Sequence, residues 1–271
     1  MGVRSPTHCR ESGAHGWTML RLVPALALSA SVWAAADAGP ASPDGINRDA
    51  VKEYLLAHPD MVLDDREIGE AVRRAQFERE QKRAAAERRS VLEASEDLLH
   101  ASLTPSSGDT EATVMVIEFY DYQCVPCKAS YPELQRAKAA RPDVHYIYGQ
   151  LPIYGSYSVM AARAAIAAHR QGLFEAFHDA LMAAQLPLDM DSIVGAAAQA
   201  GLDVGQLQAD MRDADVAAYL EEVQLLAEAL GVMGTPSFVI GDVLLSGGVL
   251  TADLTEELDR QRTKSDSKSW Q

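Results

Sequence analysis

The stretch VMVIEFYDYQCVPC, residues 114–127, joins an apolar run to a pair of cysteines. Residues 114–120 are mostly apolar and include β-branched and aromatic side chains, which predicts a buried strand. Pro126 fits the first turn of a helix that begins beside Cys124, where a backbone N–H has no intrahelical partner. Two thiols at this spacing close a small disulfide ring, and the helix N-terminus stabilises a thiolate. The motif alone also matches half of a zinc site, so the rest of the sequence must distinguish redox exchange from zinc binding.

The first 38 residues have the layout of an export signal. Three arginines accompany a mostly apolar run over residues 20–36, and Ala36-Asp37-Ala38 is a small-x-small cleavage site. We predict a cleaved signal peptide over residues 1–38, with Met19 as an alternative start. An uncleaved anchor helix is less favoured, because the run is short and rich in Ala and Ser. No other segment is apolar over a length that crosses a membrane.

Cleavage also removes Cys9, which leaves Cys124 and Cys127 as the thiols of the mature chain. A disulfide between two such close cysteines constrains the unfolded chain very little, so a chemical role is favoured over a stabilising one. Zinc needs two further ligands, and the histidines are scattered. Copper(I) binding by the two thiolates remains open as a side activity. We therefore expect redox exchange, with no metal and no cofactor.

The formal net charge is −15. Such acidity disfavours binding to nucleic acid and to anionic membrane surfaces, and it favours solubility. The localisation is predicted from the signal peptide, which indicates a periplasmic or otherwise exported protein.

An N-terminal helical segment is expected over residues 39–104. After a linker at residues 38–45, residues 46–56 have helical spacing that ends at His58-Pro59. Residues 61–100 are densely charged with an interrupted apolar stripe, which fits either a solvated helix or a partner helix of a homo-oligomer. Residues 104–109 are expected to form a loop and the domain boundary.

The second domain is expected over residues 105–263, before a polar tail at 264–271. Strands at residues 114–120 and 144–148 flank a helix at 125–140. An Ala-rich helical block at about 156–230 follows, with Phe174, Phe177, Leu181 and Met182 predicted to be core. A hairpin (residues 237–240 and 243–245) and a helix (251–262) complete an α/β fold with a helical insertion.

We assign Cys124 as the attacking thiol, because it lies at the predicted helix start and is expected to be the more exposed. Cys127 is then the buried, resolving thiol. Pro126 removes one N–H donor to the Cys124 sulfur, which predicts a milder oxidant than a motif with His at that position. Asp121 is expected to shape the loop.

Two further features belong to the candidate site. Glu118 lies within the apolar strand, so it is expected to be partly buried and to shuttle a proton to or from Cys127; a solvent-facing strand position is the alternative. Thr235-Pro236 opens a strand after GVMG, residues 231–234, and is a candidate cis bond in a tight turn.

These residues resemble the DsbA-like thiol:disulfide oxidoreductases, of the thioredoxin-like superfamily. The resemblance rests on four motifs in order: VIEFYDYQCVPCK (116–128), LPI with SVMAARAA (151–153 and 158–165), FHDALM (177–182) and GVMGTPSFVIG (231–241). It implies a thioredoxin-like fold with an inserted helical domain and a cis Pro236 beside the cysteines. It also implies that the backbone of Thr235 holds substrate and that Glu118 is the buried acid. VKEYLLAHP, residues 51–59, resembles the N-terminal segment of the ScsC-like branch, whose members can oligomerise.

The expected function is an exported thiol:disulfide oxidoreductase that acts on thiol- or disulfide-containing exported proteins and meets a membrane redox partner. An oligomer kept reduced acts as isomerase or reductase, which the ScsC-like N-terminus favours slightly. A monomer kept oxidised acts as oxidase. The alternative from another class is a non-enzymatic copper-binding or chaperone-like periplasmic protein.

Overall fold

The structure is a computed structural model that describes residues 45–248 and 251–268. The predicted signal peptide, residues 1–38, and the end of the predicted tail lie outside these residues. The chain divides into two compact units, Met1–Gly69 and Glu70–Gln271.

In the first unit, α1 (Arg48–Ala57) and α2 (Asp60–Leu63) follow one another closely. The side chain of Asn47 caps α1 by accepting hydrogen bonds from the Asp49 and Ala50 amides. The helix ends at His58, because the following Pro59 disfavours helical backbone there. The predicted helix at residues 46–56 and its end at His58-Pro59 are confirmed.

The charged segment at residues 61–100 forms three helices rather than one: the second half of α2, then α3 (Arg66–Ala94) and α4 (Glu96–Leu99). Asp65 interrupts the run, since its carboxylate accepts a hydrogen bond from the Ile68 amide at 3.0 Å and so starts α3. At the far end, Leu98, Leu99 and Leu103 pack into the core of the second unit. The boundary predicted at residue 104 therefore falls inside that unit.

Five strands form one sheet in the order β1-β3-β2-β4-β5. They are β1 (Ser106–Gly108), β2 (Met115–Tyr120), β3 (His145–Gln150), β4 (Ser237–Ile240) and β5 (Val243–Ser246). The β2 and β3 strands are parallel, and the other pairs are antiparallel. The central β2 is buried, as its apolar sequence predicts.

The expectation of a plain loop at residues 104–109 is wrong, because Ser106–Gly108 forms the edge strand β1. A three-residue edge strand needs only backbone hydrogen bonds and carries no apolar alternation, so sequence patterns miss it. Gly108 has φ +82°, and a Cβ there would meet the Val144 carbonyl oxygen at 2.1 Å. The position therefore requires glycine.

Seven helices complete the described part of the second domain. They are α5 (Val125–Ala140), α6 (Ser156–Arg170), α7 (Phe174–Ala183), α8 (Met190–Ala200), α9 (Val204–Asp210), α10 (Ala214–Ala229) and α11 (Thr251–Lys268). The five from α6 to α10 are the predicted insertion. The final helix extends beyond the predicted residues 251–262. No helix among the described residues combines the length and the apolar character that a membrane span requires.

The sheet is covered on both faces. On one face, α5 and α11 pack on β2 and β4 through apolar side chains that include Leu134, Phe238 and Leu258. On the other face, α6 and α10 cover Ile117 and Phe119 of β2. The insertion has its own core, in which the small alanines of α6 allow close packing, and the four predicted core residues Phe174, Phe177, Leu181 and Met182 are buried there. The thioredoxin-like α/β fold with a helical insertion is confirmed.

Candidate active site

Cys124 lies at the N-cap of α5, directly after the turn that leaves β2. Its backbone is extended, and its sulfur accepts a hydrogen bond from the Cys127 amide at 3.2 Å. Because Pro126 has no N–H, the Cys127 amide is the donor that the first helical turn directs at the sulfur. Both cysteines are free thiols in this structure. The strand, the turn and the helix together place the two sulfurs side by side.

Asp121 holds this turn in place. One carboxylate oxygen accepts from the Gln123 amide at 2.7 Å, and the other accepts from the Ile153 and Tyr154 amides at 2.8 and 3.2 Å. Its carbonyl oxygen also accepts from the Cys124 amide at 3.1 Å. The predicted loop-shaping role of Asp121 is confirmed: the carboxylate joins the cysteine turn to the chain that follows β3.

The segment before β4 meets the cysteines, as the sequence predicts. The Thr235-Pro236 peptide bond is cis. The Cys124 thiol donates to the Thr235 carbonyl oxygen, with a distance of 3.4 Å from sulfur to oxygen. Met233, two residues before Thr235, is 94% exposed. The cis-proline segment therefore contacts the Cys124 sulfur at half-buried Thr235 and reaches the solvent at Met233.

The expected difference in exposure between the cysteines is wrong. Cys124 and Cys127 are each 1% exposed, while Val125 between them is 64% exposed. The Thr235 carbonyl lies against the Cys124 sulfur, so the cis-proline segment that the resemblance places beside the cysteines also contributes to covering this thiol. Exposure therefore does not distinguish the two thiols.

Their proton affinity does distinguish them. The pKa of Cys124 is lowered to about 6, chiefly by the hydrogen bond from the Cys127 thiol, with the Thr235 side chain and the Cys127 amide adding to the effect against the opposing influence of burial. The pKa of Cys127 is raised by the same interaction with Cys124 and by burial. Near neutral pH, Cys124 is therefore the thiolate and Cys127 keeps the proton.

Glu118 is buried on β2, where it lies opposite Tyr148 of β3 and Phe238 of β4. The expected burial is confirmed. Burial raises the pKa of Glu118 to about 7, against the opposing charge of Lys138. Lys138 extends from α5, and its ammonium donates to the Tyr148 hydroxyl at 2.6 Å. The carboxyl group is thus poised to hold or release a proton near neutral pH.

Sequence reasoning missed Lys138. It lies four residues after Leu134 and directly after Ala137, both of which are buried on α5. Helical spacing from Leu134 is the signal that indicates an inward-facing lysine. Burial lowers the pKa of Lys138, and Glu118 opposes this shift.

The structure does not bring Glu118 into direct contact with the cysteines. Among the described residues, no hydrogen bond joins either cysteine to Glu118, whereas the partners of the cysteines include Asp121, Thr235 and Ser130. The Oε2 atom of Glu118 is buried and has no hydrogen-bond partner among the residues that the structure describes. Proton transfer between Glu118 and Cys127 stays a prediction.

Two more groups connect the site to the helical insertion. Lys128, directly after Cys127, donates to the carbonyl oxygens of Leu181, Met182 and Ala184 at the end of α7. Burial lowers the pKa of Lys128 to about 8. These contacts satisfy carbonyls that the helix leaves unpaired and fix α5 against the insertion.

His178, which the sequence analysis treated as one of several scattered histidines, is fully buried among aromatic rings. The rings of Tyr120, Tyr122, Tyr148 and Phe174 surround it with centroids about 5 Å away. Its Nδ1 atom shares a hydrogen bond of 2.8 Å with the Tyr122 hydroxyl. Burial lowers its pKa well below the ordinary value, so the ring is neutral. It packs beneath the cysteine turn as part of the core.

The first prediction concerns the Cys124 thiolate. Because the Cys127 thiol is the largest cause of the lowered pKa, Cys127→Ala is expected to move the ionisation midpoint of Cys124 up from about 6 towards the ordinary range. Ultraviolet absorbance of the thiolate, followed against pH in the reduced protein, measures this midpoint. Thr263→Ala, at an exposed residue of α11 whose hydroxyl donates to the Asp259 carbonyl oxygen, is the control and should leave it unchanged. An unshifted midpoint in Cys127→Ala contradicts the assignment.

The second prediction concerns Glu118. Its folded-state pKa of about 7 exceeds the ordinary 4.5, so its contribution to stability is fully present below about pH 4.5 and is lost as pH rises through about 7. Glu118→Gln is expected to stabilise the protein by about 1–3 kcal/mol more above pH 7 than near pH 4.5.

Urea unfolding at the two pH values tests this difference. Glu87→Gln, at a carboxylate that is 63% exposed, is the control and should show no such pH dependence. If Glu118→Gln changes the free energy of unfolding equally at both pH values, the prediction is wrong.

Comparison with known proteins agrees with this geometry. Residues 115–259 match the family described as the DSBA-like thioredoxin domain. A thioredoxin-like oxidoreductase from Silicibacter pomeroyi is 40% identical, with a TM-score of 0.59, over 62% of this chain and 97% of that one. A linker-deletion mutant of ScsC from Proteus mirabilis is 26% identical, with a TM-score of 0.59, over 82% of this chain and 100% of that one.

Among curated proteins, the chain is similar to the Na(+)/H(+) antiporter NhaA 3 of Salinispora tropica, with 31% identity over 135 residues. The match covers 49% of this chain but only 21% of the antiporter, so the chain spans about a fifth of that relative's length. The family match covers the strand, the cysteine turn, the insertion and the cis-proline strand described above. The chain belongs to the DSBA-like thioredoxin domain family.

Proposed function

We propose that this chain is an exported thiol:disulfide oxidoreductase that exchanges disulfides with protein substrates through Cys124 and Cys127. One observation carries the proposal. The Cys124 sulfur, with its pKa lowered to about 6, lies at a helix N-cap against the carbonyl that precedes cis Pro236. Such a thiolate is both a competent nucleophile and a good leaving group near neutral pH.

The exchange runs through Cys124 in either direction. In reduction, the Cys124 thiolate attacks a substrate disulfide, one substrate sulfur leaves as thiolate, and a mixed disulfide forms. Cys127 loses its proton and attacks Cys124, which releases the second substrate thiolate and closes the Cys124–Cys127 disulfide. Oxidation is the reverse sequence: a substrate thiolate attacks Cys124, and Cys127 leaves and takes up a proton.

Thr235 and Pro236 hold the substrate in this proposal. The Thr235 backbone faces the Cys124 sulfur, and the adjoining Met233 is open to solvent. An extended substrate segment that pairs with this backbone presents its sulfur next to Cys124. The family resemblance supports the same role for the residue before the cis-proline.

Glu118 is proposed to exchange protons with Cys127 during resolution. Its pKa of about 7 suits both uptake and release near neutral pH. Because no direct hydrogen bond joins the two groups among the described residues, the transfer needs an intervening donor such as water.

The matched pair Cys124→Ser and Cys127→Ser tests the chemistry. Cys124→Ser is expected to abolish reduction of insulin and refolding of scrambled substrate, because it removes the nucleophile. Cys127→Ser is expected to retain attack but to accumulate mixed disulfides, because resolution is lost. Gel analysis without reductant detects these adducts. Full native function in Cys124→Ser contradicts the proposal and favours a copper-binding or chaperone-like protein.

Export and partners follow from the predicted signal at residues 1–38. In a periplasmic compartment the substrates are exported proteins that carry thiols or disulfides, and a membrane redox partner resets the cysteine pair. Family membership supports a thiol-containing partner in general.

The N-terminal helices are proposed to form a homo-oligomer that favours isomerase or reductase over oxidase activity. In the first unit, Val51, Leu55 and Val62 line a groove of about 590 Å³, and Leu56 and Leu63 at its rim are 73% and 80% exposed. A contiguous apolar surface of this kind marks an interaction site. The likeness to ScsC-type chains, which extends over 82% of this chain, supports a second copy as the occupant.

Charged substitutions at the groove test this oligomer. Leu56→Asp and Leu63→Asp are expected to convert an oligomer to a monomer by placing charge in the buried contact. They should also lower isomerisation of scrambled substrate more than simple disulfide reduction. Leu225→Asp, at an equally apolar residue that is 59% exposed on α10, is the control. Light scattering gives the mass, and a monomeric wild-type protein contradicts the proposal.

A further inference from the structure

A second pocket lies on the helical insertion, between α6, α8 and the residues that follow α9. Its volume is about 280 Å³. The apolar part of its wall includes Met160, Met190 and Met211, and the polar part includes two arginines, Arg163 and Arg212. The pocket is therefore both apolar and cationic, in a chain whose formal net charge is −15.

Arg163 extends from α6 with an unsatisfied donor. Its Nη1 atom donates to the Met211 carbonyl oxygen at 3.3 Å, but its Nε atom is buried and has no hydrogen-bond partner. A buried guanidinium N–H without an acceptor is unfavourable, and carboxylates are the acceptors that match its fork of donors. Within residues 45–248 and 251–268, neither Arg163 nor Arg212 forms an ion pair.

The carboxylate that directly precedes Met190 in the sequence has other partners. Asp189, directly before Met190, accepts hydrogen bonds from the amide and hydroxyl of Ser192 at 2.9 and 2.8 Å. Arg170, two turns beyond Arg163 on α6, shows the contrast, because it forms ion pairs with Asp213 and Asp215. The chain thus supplies carboxylates to one arginine of α6 and leaves the other without one.

The pocket is also close to the redox centre along the chain. Tyr154 donates its amide to Asp121 of the cysteine turn, and its ring lies near Cys124 and Thr235. Ser156, which lines the pocket, is two residues further on, a span of at most about 7 Å. A polypeptide held at Thr235 therefore has the pocket within reach of a few extended residues.

We propose that this pocket binds an acidic side chain of the substrate polypeptide, close in sequence to the reacting cysteine. The inference rests on the proposed function and adds a substrate class to it. The carboxylate pairs with exposed Arg212 and with the terminal nitrogens of half-buried Arg163, while neighbouring apolar groups contact the methionines, whose flexible side chains adapt to varied shapes. Because the whole chain is acidic and repels acidic peptides at long range, any preference for them must come from this local site.

Paired peptides test the proposal on the full-length chain carrying Cys127→Ser. Each peptide has one cysteine in a mixed disulfide with an aromatic thiol, and the pair differs only by Glu or Gln a few residues from that cysteine. The Cys124 thiolate attacks the peptide sulfur, the aromatic thiolate leaves, and a Cys124–peptide disulfide forms. Absorbance of the released thiolate gives the rate constant. The Glu peptide is expected to react about threefold faster or more, with an advantage that declines as salt is added.

Arginine substitutions in the same background locate the effect. Arg212→Gln, at an exposed residue, and Arg163→Gln are each expected to bring the Glu-to-Gln rate ratio close to one. Arg136→Gln makes the same charge change on the exposed side of α5 and should keep the ratio. If Arg163→Gln does not fold, the Glu-to-Gln rate ratio of Arg212→Gln alone tests the proposal.

Two results overturn the inference: equal rates for both peptides, or a ratio that survives in the pocket variants. Absence of exchange with every peptide overturns the proposed function itself, and so is distinguishable from failure of the pocket alone.

Discussion

The hydrogen bonds that converge on the Cys124 sulfur are the interaction on which the rest of the site depends. They exist because β2 ends in a turn that places Cys124 at the N-cap of α5 and Cys127 one turn further on. Asp121 fixes that turn by binding three amides, and Lys128 fixes α5 against the insertion. The two chemically identical thiols acquire opposite protonation from this geometry rather than from a difference in exposure.

The sequence predicted the parts of this arrangement that follow from local patterns. Apolar runs, Gly and Pro breaks and the Cys-Val-Pro-Cys motif located β2, α5, the insertion and the hairpin. Local sequence patterns did not predict the features that depend on contacts between residues far apart in the chain. The cover over Cys124 depends on Thr235, more than a hundred residues away, and the burial of Lys138 depends on Tyr148 of β3. The edge strand β1 has no apolar pattern, because it pairs with β3 through its backbone and through a hydrogen bond between the Ser107 and Tyr148 hydroxyls.

Two ionisable groups between β2 and α5 act against stability. Glu118 is buried and Lys138 is half-buried, and burial shifts the pKa of each towards its neutral form. A purely structural core would place apolar side chains at these positions, since isosteric apolar replacements of buried charges are often neutral or stabilising. Their presence therefore lowers the stability of the fold, and a role of Glu118 in proton transfer to or from Cys127 stays a prediction.

The protonation of the thiols also bears on the direction of exchange. A low pKa at Cys124 stabilises the reduced form as a thiolate, which makes the corresponding disulfide more oxidising. Strongly oxidising DsbA has a nucleophile pKa of about 3.5, whereas reducing thioredoxin has one of about 7. With a pKa of about 6, Cys124 lies between these two values. Pro126 has no N–H to donate to the Cys124 sulfur, and a milder oxidant than a motif with His at that position stays a prediction.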